Sequence, residues 1–510
     1  MWQRSKSTER EEIYGRINKE FGAWKESLYY GLYDLINRDA IFSKLPYLLE
    51  DRGKISPFDS QLNFLKGAFI LPALFFWRLF LIRLECKYYG VKYPKVCTLR
   101  DVENEDFDYL FVLNTTDHII TALPVIESMD DKGKSLVVTF KRVYAKYKDD
   151  FDALKNTKIV FFEYELKNLP LVKYLTISKE SKGKFGLLES HSVEDDVKRL
   201  IDIDKNFINF HLKTELIQYY FFETVFNTFD LNGAVSIVFT TAFELCKERG
   251  IPTFVLQHGI GGEGHGHPHV SDYWFTFDDV SKESIDDWLD HTVEVIASGS
   301  PRFEYFKNHI ELQRIKNTKF YKNNVTFISQ GAAYDTQTTF HALKKLRNEL
   351  PDDVGLTIKL HPRENLNESN TKRQMERIFT REDLRNTRFI RNEVNFYEVI
   401  ANSNSMITAT STGMQEAIAC DIPVLQINFT GKPYPKAYDL SSFGWRTPID
   451  DPEVMVKEAV AIISDKKRCD EVIEKQNWLK NRMLKNFGNC GEVIADTIIH
   501  ICEGKKKWQR

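Results

Sequence analysis

Four short stretches carry side chains able to do chemistry. Gln257-His258-Gly259 follows the apolar run Pro252 to Leu256, and Asn114-Thr-Thr-Asp-His118 follows Tyr109 to Leu113. Lys359-Leu-His-Pro-Arg363 and Thr410-Ser-Thr-Gly413 come later in the chain. An imidazole changes charge near neutral pH, so His258 can take a proton from a hydroxyl or hydrogen-bond a phosphate. Asp117 or His118 could do the same for an acceptor hydroxyl, although Thr116 or Asp117 could equally cap the helix that follows. Lys359, His361 and Arg363 alternate along a strand end turned by Pro362. Such a trio offers charge-assisted hydrogen bonds to phosphate oxygens, the plain alternative being a solvated charged edge. Ser411, Thr412 and Gly413 precede a helix, whose unsatisfied N–H groups and positive end favour an anion. Thr412 with Gln415 also fits a capping box. Glu416, one turn in, could accept from a ribose or sugar hydroxyl.

Each stretch sits at the end of an apolar run that reads as a buried parallel strand. In open α/β sheets the carboxyl ends of strands border the ligand crevice. Gly259, Gly261 and Gly262 belong to five glycines within Gly259 to Gly266, which allow close approach of backbone or ligand. His265, His267 and His269 alternate as a metal set might, but their glycines and Pro268 favour a mobile loop, and no metal or other cofactor is expected.

Strand, loop, helix, strand order recurs at 109–140, 234–258, 325–360 and 405–427, which predicts an α/β chain of doubly wound units. No Gly-x-Gly-x-x-Gly follows the first strand, so a dinucleotide fingerprint is absent. The expected organisation is a helical extension over 1–100, a Rossmann-like domain over 101–316, a linker near Asn317 to Asn324, a second such domain over 325–450, and helices over 451–510 with a frayed lysine-rich tail. Phe64 to Leu84 is rich in aromatics, with Lys66, Arg78 and Arg83, but its longest charge-free run, Gly67 to Trp77, is short for a membrane span. It reads as a buried kinked helix or as a helix at a lipid headgroup boundary.

The 510 residues are too many for one ordinary core. A formal charge of -3 argues against a broad nucleic-acid surface. Seven scattered cysteines without a Cys-x-x-Cys pair, and an N-terminus lacking an apolar leader, fit a cytoplasmic chain, with peripheral contact to the membrane face if the 64–84 segment serves it.

With Gln257-His258-Gly259, Ser298-Gly-Ser-Pro-Arg302, Lys359 to Arg363 and Thr410-Ser-Thr-Gly-Met-Gln-Glu-Ala417 in order, the chain resembles the GT-B glycosyltransferases of bacterial surface polysaccharide synthesis. The set includes capsule Kdo transferases, polysialyltransferases and CDP-glycerol glycerophosphotransferases, and the resemblance covers roughly 230–430. It implies two Rossmann-like domains facing across a cleft, with a CMP-, CDP- or UDP-linked donor in the C-terminal domain and a glycan or lipid-linked acceptor in the N-terminal one. By the same resemblance His361, Pro362, Ser411 and Thr412 contact the donor, His258 occupies the His-Gly position, and charge is neutralised without an obligatory metal. The turn here reads Thr-Ser-Thr rather than a Ser-Ser pair. No Asp/Glu-Asp/Glu-Gly motif occurs in the first half, which leaves the sialyltransferase-type base unassigned. A sugar-nucleotide epimerase of the UDP-N-acetylglucosamine 2-epimerase type shares the double-Rossmann frame and is the alternative.

Overall fold

The structure, a computed structural model, describes residues 93–165, 176–177, 216–237, 240–259, 271–286, 293–315, 321, 323–329, 336–361, 377–380, 382, 384–390 and 394–509. The helix expected near residues 1–60, the Phe64 to Leu84 segment, the glycines 261 and 262, the histidine row 265–269, Pro362 and Arg363 lie outside the described residues.

Two parallel sheets organise the chain. The first contains β1 (Val96–Cys97), β2 (Tyr109–Leu113), β3 (Ser135–Thr139), β4 (Thr157–Phe161), β5 (Gly233–Ser236), β6 (Thr253–Leu256), β7 (Tyr273–Thr276) and β8 (Glu294–Ala297), in the order β1-β4-β3-β2-β5-β6-β7-β8. The second contains β9 (Asn323–Ile328), β10 (Val354–Lys359), β11 (Thr387–Ile390), β12 (Ser405–Thr408) and β13 (Val424–Gln426), ordered β11-β10-β9-β12-β13. Strand order reverses between β2 and β5 in one and between β9 and β12 in the other, and such switch points open a crevice at the carboxyl ends. The fold is α/β, two Rossmann-like domains.

Strands β2, β3, β5, β6, β10 and β12 are buried at every position, as apolar strands covered on both faces must be. Two details depart from expectation. Residues 96–97, assigned to a helical extension, form the edge strand that pairs with β4. The second sheet starts at Asn323 rather than Val325, because Asn323 and Asn324 already pair in register with Val354 and Gly355 of β10.

The helices that matter to the site are α1 (Thr116–Met129), α2 (Thr241–Arg249), α3 (Pro301–Ile315), α4 (Thr336–Glu349), α5 (Phe396–Ala401), α6 (Thr412–Ala419), α7 (Pro452–Ser464), α8 (Lys466–Met483) and α9 (Cys490–Gln509). Helix α3 lies between the sheets' domains and packs on α1, α5 and α6. Phe306 of α3 meets Phe396 of α5 edge-on at 6.0 Å. Helix α9 returns to the first domain along α1, where Asp496 pairs with Lys132 and a Cβ on Gly491 would lie 2.6 Å from the Pro124 carbonyl. The tail expected to fray is the continuous last part of this helix, through Gln509.

The Ser298–Arg302 motif seats that return. Gly299 has φ +92°, and a Cβ there would be 1.9 Å from the Lys485 carbonyl oxygen, so only glycine fits. Asn486 donates to the Ser298 carbonyl, and the Cys490 backbone N–H donates to Glu304. Among the described residues no helix is long and apolar enough to cross a membrane, and the six described cysteines are free.

Candidate active site at the meeting of two sheet edges

His258 follows β6 as part of a turn held by its neighbour. Gln257, 6% exposed, accepts from the Phe277 N–H through Oε1 at 2.9 Å and donates through Nε2 to the Gly259 carbonyl at 2.9 Å. The loop glutamine is therefore a staple from the end of β6 to the end of β7. Its bonds orient the half-buried His258.

A second staple escaped the sequence reading. Gln426, at the end of β13, donates to the carbonyls of Ala409 and Tyr438 and accepts from the Leu440 N–H, holding the backbone just before Thr410. The signal was present: Ile251-Pro252 precedes Val255-Leu-Gln257, and Ile422-Pro423 precedes Val424-Leu-Gln426. The same residues recur because the same turn of a βαβ unit recurs, down to left-handed backbone at Gly250 (φ +68°) and Asp421 (φ +58°).

His118 lies in the first turn of α1, 4% exposed, rather than in a loop. Thr115, not Thr116 or Asp117, caps that helix, accepting from the His118 N–H. The Asn114 N–H donates to His118 Nδ1 at 3.1 Å. A backbone N–H can only donate, so Nδ1 holds the lone pair and the neutral ring carries its proton on Nε2. With Nδ1 so engaged, the ring offers a donor at Nε2. It stands edge-on to His258 with centroids 5.7 Å apart, although the two residues end strands separated by β5. Asp117 is helical, and its side chain lies outside the described residues.

In the second domain Ser411 is the cap of α6: its Oγ accepts from the Gly413 N–H at 3.1 Å and its carbonyl from the Met414 N–H at 2.9 Å. The expected Thr412–Gln415 capping box does not form. Thr412 is instead the first helical residue, and Gln415 is fully buried with no hydrogen-bond partner for its amide among the described residues. Gly413 is needed for packing, since a Cβ there would be 2.6 Å from Phe396 Cζ. His361 stands half-buried just past β10, two strands from Thr412 across β9, or about 10 Å at ordinary strand spacing. Lys359 is buried, its Nζ donating to the Leu360 carbonyl at 2.8 Å.

Glu416 departs from its expected part. It is 1% exposed, and Oε1 is taken by Arg302 Nε at 2.5 Å, so it joins α6 to α3 instead of presenting an exposed carboxylate to a sugar. The domains also meet at their strand ends: a Cβ on Gly259 would be 3.8 Å from Thr412 Oγ1. Asp278, just past β7, is fully buried, and that burial lifts its carboxyl to about 7 against the hydrogen bonds it accepts from Ser281.

The geometry thus sets two imidazoles and a capped helix start at one seam. It offers a proton acceptor or donor on one side and an anion-favouring helix end on the other. Among the described residues no group of three or more His, Cys, Asp or Glu is placed to hold a metal ion.

No family model and no curated protein matches the chain. Among solved structures it is similar to the UDP-GlcNAc 2-epimerase from Methanocaldococcus jannaschii, at 12% identity and a TM-score of 0.51, over 77% of this chain and 99% of that one. It is also similar to the wall teichoic acid polymerase TagF, at 13% identity, TM-score 0.42, over 80% and 92%. A third is Alr3699/HepE of Anabaena in complex with UDP and glucose, at 10% identity, TM-score 0.46, over 77% and 99%. The first of these likenesses shows the fold, the two-domain GT-B arrangement.

Proposed function

We propose that the chain is a GT-B glycosyltransferase that moves a sugar from a CMP-, CDP- or UDP-linked donor to a glycan or lipid-linked acceptor, without a catalytic metal. One observation carries the reading: the strand-end glycine beside His258 and the first residue of α6 meet across the two domains, with a Gly259 Cβ position 3.8 Å from Thr412 Oγ1. A donor whose phosphates sat at the start of α6 would have its anomeric carbon facing the first domain.

The donor side would use Ser411, Thr412 and the N–H groups of α6, with His361 and, from the sequence, Pro362 and Arg363 closing on the phosphates. Departure of the nucleotide builds negative charge there, and a helix end already pointing at it lowers the barrier without reorganising. Lys359 lies at the same strand end, buried, with its Nζ donating to the Leu360 carbonyl. On the acceptor side His258 would take the hydroxyl proton or hydrogen-bond the departing phosphate, while His118 orients it.

The second reading is a sugar-nucleotide epimerase, favoured by the fold shared with the Methanocaldococcus jannaschii enzyme. Thermal shift against UMP, UDP, CMP, CDP and GDP tests nucleotide binding, because a ligand of the native state raises its melting temperature. The matching nucleotide sugar, incubated alone, then separates the readings. A 2-epimer formed without acceptor would establish the epimerase, and no shift with any nucleotide would reject both.

A further inference from the structure

We infer that the second domain carries a further ligand site, lined by none of the seam residues, for an anionic carbohydrate: a sugar or polyol bearing phosphate. The inference is independent of the donor reading. It rests on a cavity of about 310 Å³ between the turn Gly444–Arg446 and helix α8, lined by Trp445, Arg446, Arg468, Lys475 and Trp478. That volume is at the small end of ligand pockets, enough for one monosaccharide phosphate.

The aromatic wall is built rather than accidental. Gly444 has φ +86°, and a Cβ there would be 2.8 Å from Trp478 Cη2, so the glycine lets the indole lie against the turn. Arg482 stands over the same ring at 4.9 Å. Trp478 is held from two sides yet remains 48% exposed, among the few large apolar side chains so exposed in the described residues. A fixed, open indole face suits the C–H face of a sugar ring, apolar on the plane and polar at the rim.

The cationic part is similarly poised. Arg468 donates to Glu458 at 2.7 Å and to Glu471 at 3.3 Å, while Arg446 reaches Glu458 only at 3.5 Å. Arg446 keeps one guanidinium nitrogen, Nη2, buried with no hydrogen-bond partner among the described residues. A buried N–H group without an acceptor is costly, which marks the Arg446 guanidinium as not fully satisfied by Glu458. Lys475 is exposed, with no described carboxylate within ion-pair distance. Burial alone would raise the Glu458 carboxyl, but Arg468 and Arg446 outweigh it and hold the group below its ordinary value, so it stays charged. Four cations, counting Arg482, face these two carboxylates, an excess of two. Planar guanidinium groups match phosphate oxygens in pairs, which favours phosphate over a neutral sugar.

The test uses the full chain, calorimetry and tryptophan fluorescence, with glucose 6-phosphate as probe and glucose and inorganic phosphate as controls. Saturable binding of glucose 6-phosphate is expected, roughly tenfold or more tighter than either control, and weakened by a similar factor in Lys475→Glu and in Trp478→Ala. Both side chains are exposed, so the variants should fold, which circular dichroism checks; Lys475→Gln serves if either does not. Nucleotide-induced thermal shifts should be unchanged in all of them. No saturable response, equal affinity for inorganic phosphate, or undiminished affinity in the folded variants would overturn the inference.

Discussion

Arg302 Nε lies 2.5 Å from Glu416 Oε1, an ion pair that joins α3 of the first domain to α6 of the second across 114 residues of sequence. The Arg302 guanidinium also stands 5.2 Å over the Phe306 ring. Both residues are buried, so the pair fixes the angle at which the start of α6 faces the first sheet. Arg302→Met strands a buried carboxylate and should cost about 3–5 kcal/mol in urea unfolding. Arg302→Met with Glu416→Leu should recover much of that, and its activity should stay low if the pair sets domain geometry. Stability unchanged in Arg302→Met would show that the pair bears no load.

Removing either imidazole proposed for the chemistry should leave folding intact and damage turnover. His258→Ala and His361→Ala are each expected to slow transfer by roughly a hundredfold or more, the scale of a lost general base or charge stabiliser. The assay uses the donor identified by the nucleotide screen. Full activity in both variants would reject the assignment.

His118 should behave as a positioning residue. His118→Phe keeps a ring beside His258 but leaves the Asn114 N–H without its acceptor. A loss of about tenfold in kcat, with the pH–rate profile displaced, is expected from the altered neighbour. A loss as deep as that of His258→Ala, with the same profile, would instead make His118 the group that moves the proton.

The strand-end staple separates stability from activity. Gln257→Leu leaves the Phe277 N–H and the Gly259 carbonyl unpaired at a cost of about 1–3 kcal/mol each. Gln257→Glu keeps the acceptor for Phe277 but sets a carboxylate against the Gly259 carbonyl. It should fold better than the leucine variant while losing activity through a displaced His258. Denaturation midpoints and kcat, measured on both, decide this.

Asp278 links stability to pH. Its folded value, about 7, lies above the ordinary 3.8, with burial the main cause. The folded state therefore holds a proton that the unfolded state releases, and the stabilisation present at low pH is lost as pH rises through about 7. Asp278→Asn keeps an oxygen to accept the Ser281 N–H. The melting temperature of the variant should match the parent only below the ordinary value of 3.8 and exceed it by a growing margin as pH rises to about 7. Parallel curves across that range would refute the shift.

The strands and the residues at their ends were legible in the sequence, because a parallel strand buried on both faces must be an apolar run closed by turn residues. Tyr109–Leu113 and Thr241–Arg249 fall where their patterns placed them. Helix starts were legible only to within a residue, since Thr115 or Thr116, and Ser411 or Thr412, have nearly equal capping chemistry. What local pattern does not contain is which distant side chain a polar group meets. His118 beside His258, Glu416 on Arg302, and Gly299 under the returning C-terminal segment all follow from packing two domains and a crossing helix. Burial is the physical reason. A charged or polar group shut away from water must find its partner wherever the folded chain supplies one, and for these residues that partner is more than a hundred positions away.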